Sequence, residues 1–459
     1  MIENIKIENF KSIRNLEIEL APLTIFVGPN GSGKSSILEA IALMRQCIGD
    51  IGEIDKYRSI VDSIKGELVD FEDKKHIFCE EIEDRFLSLG LVADVEIKDI
   101  RETVIEDTQF FLKLGRKTKN ASFLHYVNFL NNLLRSLGIQ LFSKKGTVRI
   151  EYLNRIKGDK SSYEHSYSIN RTCIAYKQKK RGEFECTPPE VQLRMEADFL
   201  PLFLVSDYGT QLGRTISRIL RSKIKNVFYL SAERGFIPWT YRAGSPPKWV
   251  GRRGEHTLDV LARLMEPEYE DKRLPYELFC EKFGIKSVWV GWKEHNILTS
   301  GYKDSFLGSS HRFPSLGYGS KQLLSVIAQL AYSDADSIIL VEEPEMSLHP
   351  DYQRLLAALF GRAVNEGKQI LVTTHSSYFP LSLDLVLKGY TLAGQTTRGR
   401  KKYKIKLSVN DVAVYHVKRG RKGYTNIEKL EVDENGLKEG IPSFIKVEKE
   451  ILERFISRE

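Results

Sequence analysis

The sequence lacks the features that mark membrane-spanning or secreted proteins. Its longest apolar stretches, such as Ala40–Met44 and Ser337–Val341, are far shorter than the roughly 20 residues that a membrane-spanning helix needs. The N-terminal residues MIENIKIENFKSI alternate charged and apolar side chains and lack the hydrophobic segment of a signal peptide. We therefore expect a cytoplasmic protein with no membrane partner.

Cysteine is scarce, and its spacing is not that of a metal site. Five cysteines are scattered over 459 residues, and none of them forms a C-x-x-C pair. An odd, dispersed set is typical of reduced thiols in an intracellular protein, so we expect no zinc site. Internal repeats of 20–50 residues and sustained heptads are also missing, which argues against a solenoid and a long coiled-coil arm.

The overall composition is that of a globular protein with a mild basic excess. Hydrophobic residues make up 42% and charged residues 28%, and the net charge is +8. Three basic clusters occur at Lys177–Arg181, Arg398–Lys402 and Lys418–Lys422. Such clusters bind phosphate backbones in some proteins and are solvated turns or protected edge strands in others, and both interpretations stay open here.

Apolar periodicity predicts strands and helices along the chain, least clearly over residues 50–225. Strands are predicted within Ile2–Leu20, Pro22–Val27, Leu91–Ile97, Val148–Leu153, Val227–Leu230, Ser337–Val341 and Gln369–Thr373, with short strands again over 403–437. Helices are predicted at Ser36–Arg45, Phe123–Leu137, Val191–Leu204, Thr257–Met265 and Gln322–Tyr332. The continuous apolar runs at 337–341 and 369–373 are typical of parallel strands covered on both faces.

Residues 28–35, GPNGSGKS, match the phosphate-binding motif G-x-x-x-x-G-K-[ST] in full. Its glycines let successive backbone N–H groups face a phosphate, and the following helix directs its positive end at the same anion. Lys34 is expected to reach the β- and γ-phosphates, and the Ser35 hydroxyl to ligate Mg²⁺. The residues expected to bind ATP are Gly28, Asn30, Gly31, Ser32, Gly33, Lys34, Ser35 and Ser36.

A pair of carboxylates follows the apolar run at 338–341. In P-loop proteins a buried strand ending in acids delivers a magnesium-binding carboxylate beside the loop, and we expect Glu342 in that role. Glu343 is expected to polarise the attacking water as a general base or orienting group. The alternative is a helix N-terminus, where acids are favoured by the helix dipole.

A lone histidine ends the next apolar strand, Ile370–Thr374. Because this strand is expected beside the carboxylate strand, His375 would contact the γ-phosphate or the attacking water. The alternative is an ordinary histidine at the surface. Arg234, just after another predicted strand, would either add positive charge near the phosphates or pair with Glu233 or the C-terminal residues.

The order of these motifs resembles that of ABC-type ATPases, in the RecF/SMC/OLD branch rather than the membrane transporters. The resemblance is carried by GPNGSGKS, IENFKSI at 7–13, VEEPEMSLHP at 341–350 and TTHSSYF at 373–379, and it does not extend to the middle of the chain. It implies an α/β fold: an ABC-type P-loop NTPase head, with a parallel-core sheet and an antiparallel β lobe, carrying a mainly helical insertion.

The resemblance also implies a signature segment that contacts the ATP of a second subunit. The matching residues are Ser315–Gln322, SLGYGSKQ, where Gly317 replaces the family's serine. Gly317, Gly319 and Ser320 are therefore expected to contact nucleotide across a homodimer. Glu342 stands where transporters usually carry Asp, and the glutamine that links Mg²⁺ to the neighbouring lobe is not identified.

The expected organisation has four segments. Residues 1–105 and 226–392 form the two parts of the ATPase head, 106–225 an inserted lobe, and 393–459 a β-rich C-terminal extension. OLD-family nucleases carry a metal-binding TOPRIM domain after the ATPase, and no acidic cluster of that kind follows the region of Thr391. We therefore expect the ATPase alone, with any nuclease or toxin activity in a separate partner.

The leading functional hypothesis is an ATPase with ATP and Mg²⁺ as cofactors that closes as a homodimer around ATP. Nucleic acid and a separate nuclease or effector protein are candidate partners, in DNA repair or defence against mobile elements. Two alternatives stay open: the nucleotide-binding subunit of a membrane transporter, and a nucleotide-gated binding module with little turnover.

Overall fold

The computed structural model of the protein divides into two compact units. Unit 1 comprises Met1–Glu19 and Leu43–Asn226, and unit 2 comprises Leu20–Ala42 and Val227–Glu459. The structure describes residues 1–48, 64–72, 77, 79, 86–96, 147–157, 163–169, 172–180, 183–185, 224, 226–235, 237–238, 241–244, 247–294, 297–304, 308–396 and 398–456. The predicted domain boundaries near 105, 225 and 392 stay predictions.

The helices and strands are numbered here in chain order. The strands are β1 (Asn4–Phe10), β2 (Ile13–Glu19), β3 (Leu23–Val27), β4 (Phe86–Glu96), β5 (Thr147–Lys157), β6 (Tyr163–Ile169), β7 (Thr172–Lys180), β8 (Glu183–Glu185), β9 (Val227–Leu230), β10 (Tyr241–Arg242), β11 (Ile285–Glu294), β12 (Ile297–Asp304), β13 (Ser310–Arg312), β14 (Ile338–Glu342), β15 (Gln369–Thr374), β16 (Tyr390–Thr396), β17 (Gly399–Ile405), β18 (Val412–Arg419), β19 (Thr425–Leu430), β20 (Val432–Asp433) and β21 (Gly436–Leu437). The helices are α1 (Lys34–Ile48), α2 (Thr257–Leu264), α3 (Glu270–Lys282), α4 (Tyr318–Tyr332), α5 (Pro350–Asn365), α6 (Tyr378–Leu381), α7 (Asp384–Lys388) and α8 (Pro442–Ile456).

Unit 1 contains a seven-stranded antiparallel sheet in the order β2-β1-β4-β5-β6-β7-β8. Along β2 the burial alternates as expected for a strand with one covered face, with Ile13, Leu16 and Ile18 buried. The strands predicted within 2–20, 91–97 and 148–153 are confirmed. Between 106 and 225 the structure describes the strands β5 to β8, and the helices predicted at 123–137 and 191–204 lie outside the described residues.

Unit 2 is built on a six-stranded sheet in the order β19-β18-β3-β15-β14-β9. The five strands from β18 to β9 are parallel, and β19 pairs antiparallel at one edge. The strands β3, β14 and β15 are buried at every residue, as their continuous apolar runs predict. Each buried Ile, Leu or Val in them contributes roughly 1.5–3 kcal/mol of hydrophobic stabilisation.

The parallel arrangement brings three chain segments to one edge of this sheet. The strands β3, β15 and β14 lie side by side in register, with Val27 beside Thr374 and Thr373 beside Glu342. Because parallel strands end at the same edge, the residues that follow β3, β14 and β15 meet in one crevice. This is the α/β sheet architecture of an ABC-type P-loop NTPase head.

Smaller elements of unit 2 cover the remaining surfaces. The strands β10, β12, β11 and β13 form a second antiparallel sheet, and β16 and β17 form a two-stranded hairpin. The helix α4 begins at Tyr318, four residues before the predicted start, and 11 of its residues are buried in the core. Among the residues that the structure describes, no helix is long and apolar enough to cross a bilayer.

Candidate functional site

The loop between β3 and α1 holds the side chain of Lys34 against its own backbone. Lys34 Nζ donates hydrogen bonds to the carbonyl oxygens of Gly28 and Pro29, each at 3.0 Å. The side chain is buried, and burial lowers the pKa of Lys34 to about 8 although the neighbouring carboxylates oppose this shift. An ammonium group in this position is a poorly hydrated cation, which favours the arrival of an anion.

A hairpin from the C-terminal residues fixes this loop from outside. Arg419 Nε donates to the Gly31 carbonyl at 2.6 Å, and Thr425 Oγ1 donates to the Ser32 carbonyl at 2.9 Å. A Cβ atom on Gly28 would lie 2.1 Å from the Val417 carbonyl oxygen, so only glycine fits there. With its outward carbonyls bound, the loop backbone is held in one conformation.

Sequence reasoning missed these hairpin contacts. Arg419 belongs to the basic cluster Lys418–Lys422, a sequence pattern that indicates only a phosphate-backbone site, a solvated turn or a protected edge strand. Nothing in the local sequence marks Thr425. The contacts depend on the pairing of β18 with β3, a pairing between segments separated by almost the whole chain.

The two carboxylates at the end of β14 have different surroundings. Glu342 is buried, and its Oε2 accepts a hydrogen bond from the Ala232 N–H at 3.1 Å. Its Oε1 is buried and has no hydrogen-bond partner among the described residues. Glu343 is half-buried and adopts a φ of 42°, a left-handed conformation that a glutamate rarely takes. Strain of this kind is concentrated at functional sites.

His375 lies between Glu343 and Lys34. Its Nε2 is 3.2 Å from Glu343 Oε1, and its Nδ1 is 3.5 Å from Lys34 Nζ. Both contacts are satisfied when Nε2 carries the ring proton and Nδ1 accepts from the ammonium. The pKa of Glu343 is lowered, first by the hydrogen bond from His375 and then, against the effect of burial, by the charges of Lys34 and Arg234.

A third carboxylate, Glu345, positions the backbone of the histidine. Its Oε1 accepts the His375 N–H at 2.7 Å, while its Oε2 is buried without a partner in the part of the chain that the structure describes. Burial raises the pKa of Glu345. The EEPE motif contains this residue, but the motif alone does not reveal that Glu345 links the β14 loop to the end of β15.

Arg234 is buried, and its side chain joins several backbone segments rather than lining the surface of the pocket. Its guanidinium donates to the carbonyls of Glu342 at 2.5 Å and Glu343 at 3.0 Å. It also donates to the carbonyls of Ser231 and Gln322. Of the two sequence interpretations, the structural one is closer, but the partners are backbone carbonyls and not Glu233. Arg234 therefore connects the carboxylate turn to the helix α4.

The signature residues lie at the start of α4. Gly317 precedes the first turn and is exposed, Gly319 is buried, and Ser320 is partly exposed. A Cβ atom on Gly319 would approach the Ser347 carbonyl oxygen at 2.4 Å, so this glycine lets α4 pack closely on the loop after the carboxylates. Gln322 Nε2 donates to the Ala232 carbonyl at 3.3 Å on the inner side.

The structure brings together three of the predicted site residues directly: Lys34, Glu343 and His375. Glu342 lies one residue before Glu343, and Ser35, the second residue of α1, is exposed. Across the described residues, no group of three or more histidine, cysteine, aspartate or glutamate side chains forms a metal cage. Oxygen donors at this edge of the sheet include Oε1 of Glu342 and Oε2 of Glu345, both without a partner among the described residues, and the exposed hydroxyl of Ser35. Oxygen is the ligand type that Mg²⁺ prefers, with phosphate and water completing its coordination.

Two family models match the chain. The model described as "AAA ATPase domain" matches residues 1–235, and a second model, described as "AAA domain, putative AbiEii toxin, Type IV TA system", matches residues 296–382. The first match extends over more than half of the 459 residues. Both contain motifs described above, the phosphate-binding loop in the first and the EEPE and TTH segments in the second.

The chain is also similar to several named proteins and solved structures. The OLD nuclease of Thermus scotoductus is 41% identical over 386 residues, which are 83% of this chain and 60% of that protein. The Septu protein PtuA of Bacillus mycoides is 55% identical over 49 residues, 9% of this chain and 7% of that protein. The SMC head bound to the C-winged helix domain of ScpA aligns with 94% of this chain and 98% of its own, with 15% identity and a TM-score of 0.45.

The family follows from the sheet, the site and the match to the AAA ATPase domain model. A parallel sheet delivers the phosphate-binding loop, the carboxylates and the histidine to one crevice, and the matching family model begins at residue 1 and includes that loop. The chain spans 60% of the length of the OLD nuclease that it matches. The chain belongs to the AAA ATPase domain family, and it carries the phosphate-binding loop of P-loop nucleotide-binding proteins at residues 28–35.

Proposed function

We propose that this protein hydrolyses ATP to ADP and phosphate, and that a second copy of the chain completes each ATP site. Hydrolysis would act as a conformational switch for a separate effector in nucleic-acid repair or in defence against mobile elements. The observation that supports the proposal is the contact chain from the Lys34 ammonium through the His375 imidazole to the Glu343 carboxylate.

The residues of the pocket divide the chemistry between them. Lys34 and the loop N–H groups bind the phosphates and neutralise charge as the terminal phosphoryl group leaves. Glu343 orients the attacking water and accepts its proton, and its lowered pKa keeps it ionised at neutral pH. His375 donates to Glu343 and so fixes the direction of that carboxylate.

Mg²⁺ suits the remaining donors. Glu342 Oε1 is a buried acceptor without a partner among the described residues, and Ser35 offers a hydroxyl at the start of α1. When bound, the ion would neutralise phosphate charge and orient the terminal phosphoryl group. Glu342 would bind the ion directly or through a water molecule.

The proposed dimer depends on the start of α4. Gly317, Tyr318 and Ser315 are exposed there, and the first turn of a helix presents backbone N–H groups to an anion. None of the described contacts joins this segment to Lys34 of the same chain. We therefore propose that these N–H groups bind a phosphate of the ATP that is held by a second copy of the chain.

The biological role is supported by the names of the relatives. One is an OLD nuclease and another a Septu protein, so the effector that we propose for this chain is a nuclease-type partner. The motifs alone do not favour a transporter subunit, and no contact among the described residues supports that alternative.

The substitution Glu343→Gln tests the proposal. It retains the shape and hydrogen bonding of the side chain but removes the base, so phosphate release should fall by roughly 10²–10⁴-fold. ATP binding should persist, and the ATP-bound dimer should accumulate in size-exclusion chromatography with light scattering. Glu434→Gln, at an exposed position of the C-terminal residues, is the matched control and should leave all three measurements unchanged.

Two outcomes would contradict the proposal. Unchanged turnover in Glu343→Gln would remove the assigned base. ATP binding by the wild-type protein without measurable phosphate release, in the absence and presence of nucleic acid, would leave a nucleotide-gated binding module instead.

A further inference from the structure

The hairpin β16–β17 presents a row of cations on its outer face. Arg400, Lys402 and Lys404 alternate with partly or fully covered residues along β17, and all three side chains are exposed. Successive positions on one face of a strand are about 6.6–6.8 Å apart, so the three charges extend over roughly 13 Å. We call Arg400, Lys402 and Lys404 the cationic row.

No acidic residue neutralises this row from the neighbouring strand. The residues directly opposite are Gln395, Ala393 and Thr391, all uncharged. The whole segment 389–407 contains six lysines and arginines and no aspartate or glutamate. Of these six, Arg398 is paired with Glu270 and Asp271, whereas the cationic row has no ion pair within the described parts of the chain.

In each of the other two basic clusters, at least one cation lies beside a carboxylate. On β7, Lys177 is in register with Glu164 on one side and Glu185 on the other. In the cluster at 418–422, Lys418 pairs with Glu428 at 2.7 Å, and Arg419 is bound to the phosphate loop. Lysines that serve only to prevent aggregation at an edge strand can do so while they are paired with carboxylates. The β16–β17 hairpin is thus the cluster best suited to external anions.

Contacts on the opposite face of the hairpin hold the cationic row in place. Leu392 and Ile405 are buried in the core of unit 2. Tyr403 lies against the guanidinium of Arg362, with 5.0 Å from Cζ to the ring centroid. A strand anchored in this way keeps the three cations at fixed spacing.

We propose that the cationic row binds the phosphate backbone of nucleic acid. Its length of roughly 13 Å is several times the 3.4 Å axial step of one DNA strand, so its side chains can engage separate phosphates of the backbone. The exposed face offers threonine, alanine and glutamine but no large apolar side chain, which a membrane-docking surface would need. The inference deepens the proposed function by naming the surface on which nucleic acid would act.

Fluorescence anisotropy with a labelled 30-base-pair duplex tests this assignment, with the same measurement on single-stranded DNA. The triple variant R400Q/K402Q/K404Q should raise the Kd about tenfold or more and should lower the slope of log K against log salt by about 2.7, from three contacts at about 0.9 each. The control K286Q/K438Q/K446Q removes the same formal charge from lysines that each pair with a carboxylate, and it should retain the wild-type slope.

Several outcomes would overturn the inference. Two of them concern the variants: an unchanged salt slope in the triple variant, or a loss of DNA affinity in the control that equals the loss in the triple variant. The other two concern the wild type: no DNA binding at 50 mM salt, or binding of anionic phospholipid vesicles in place of both DNAs. Phosphate release is measured on every variant without DNA. Because the cationic row lies outside the Lys34 pocket, the triple variant should have the basal ATPase rate of the wild type. A failed DNA-binding test is therefore distinct from a failure of the proposed ATPase activity.

Discussion

His375 Nε2 lies 3.2 Å from Glu343 Oε1, and the same imidazole faces Lys34 through its other nitrogen at 3.5 Å. The histidine therefore connects the end of β15 with both the carboxylate turn after β14 and the phosphate loop after β3. A proton on Nε2 stabilises the charged form of Glu343, which is why this carboxylate has a lowered pKa in a half-buried position.

Replacing His375 should change both the rate and its pH dependence. In His375→Ala, Glu343 loses the largest cause of its lowered pKa, while burial still raises it. The acid limb of the kcat profile should therefore move to higher pH, and kcat at neutral pH should fall by about tenfold or more. His349→Ala, an exposed histidine, is the control. A lower rate with an unmoved acid limb would contradict the role of His375 in keeping Glu343 ionised.

The affinity for ATP should decrease in alkaline solution. The pKa of Lys34 is lowered to about 8, so above that pH the nucleotide-free protein has lost the proton that a bound phosphate requires. Because the phosphates favour the ammonium form, binding takes up a proton, and Kd should rise by up to about tenfold per pH unit above 8. Isothermal titration in buffers of different ionisation enthalpy measures this uptake. Lys34→Arg cannot lose its proton in that range, so a residual alkaline slope in that variant would exclude Lys34 as the cause.

Arg234 should affect catalysis without touching the nucleotide pocket. Lysine at this position cannot reach all four carbonyls, and leaving buried acceptors unpaired costs about 1–3 kcal/mol each. In Arg234→Lys we expect a lower melting temperature, a lower kcat and an ATP Kd close to wild type, since the carboxylate turn loses its connection to α4.

The control for this prediction is Arg242→Lys, at an exposed position of β10. Equal losses of ATP affinity and kcat in Arg234→Lys would indicate general unfolding rather than a misplaced carboxylate turn. Thermal unfolding by circular dichroism, run beside both assays, separates the two.

The C-terminal hairpin should set the affinity of the phosphate loop. Thr425→Val retains the side-chain shape but removes the hydrogen bond to the Ser32 carbonyl, a loss of about 0.5–1.5 kcal/mol. The loop then samples more conformations, and we expect a severalfold higher KM for ATP with little change in kcat. Thr391→Val, on the exposed face of β16, is the control. An unchanged KM in Thr425→Val would show that the loop holds its shape without the hairpin.

The sequence was sufficient where the chemistry is local. The motif at 28–35 fixes a phosphate loop because glycine, lysine and serine at that spacing serve one purpose, and the apolar runs before Glu342 and His375 predict buried parallel strands. These features also predict that Glu342 and His375 lie at the same edge of the sheet, because neighbouring parallel strands end together.

Other positions were decided only by the tertiary structure. Glu345 and Thr425 carry no local signal, and Arg234 had two open interpretations. Their roles depend on which backbone atoms other segments bring near them: the N–H of His375, the carbonyl of Ser32, and the carbonyls of Glu342 and Glu343.

The sequence by itself determined that this protein has a phosphate loop followed by a carboxylate strand and a histidine strand, because each is a short pattern with one structural solution. Only the tertiary structure decided that His375 joins Lys34 to Glu343, that the C-terminal hairpin holds the phosphate loop, and that the cationic row has no carboxylate opposite it. Hydrogen bonds and charge neutralisation between distant segments depend on strand order and register, and a linear pattern does not specify which strand lies beside which.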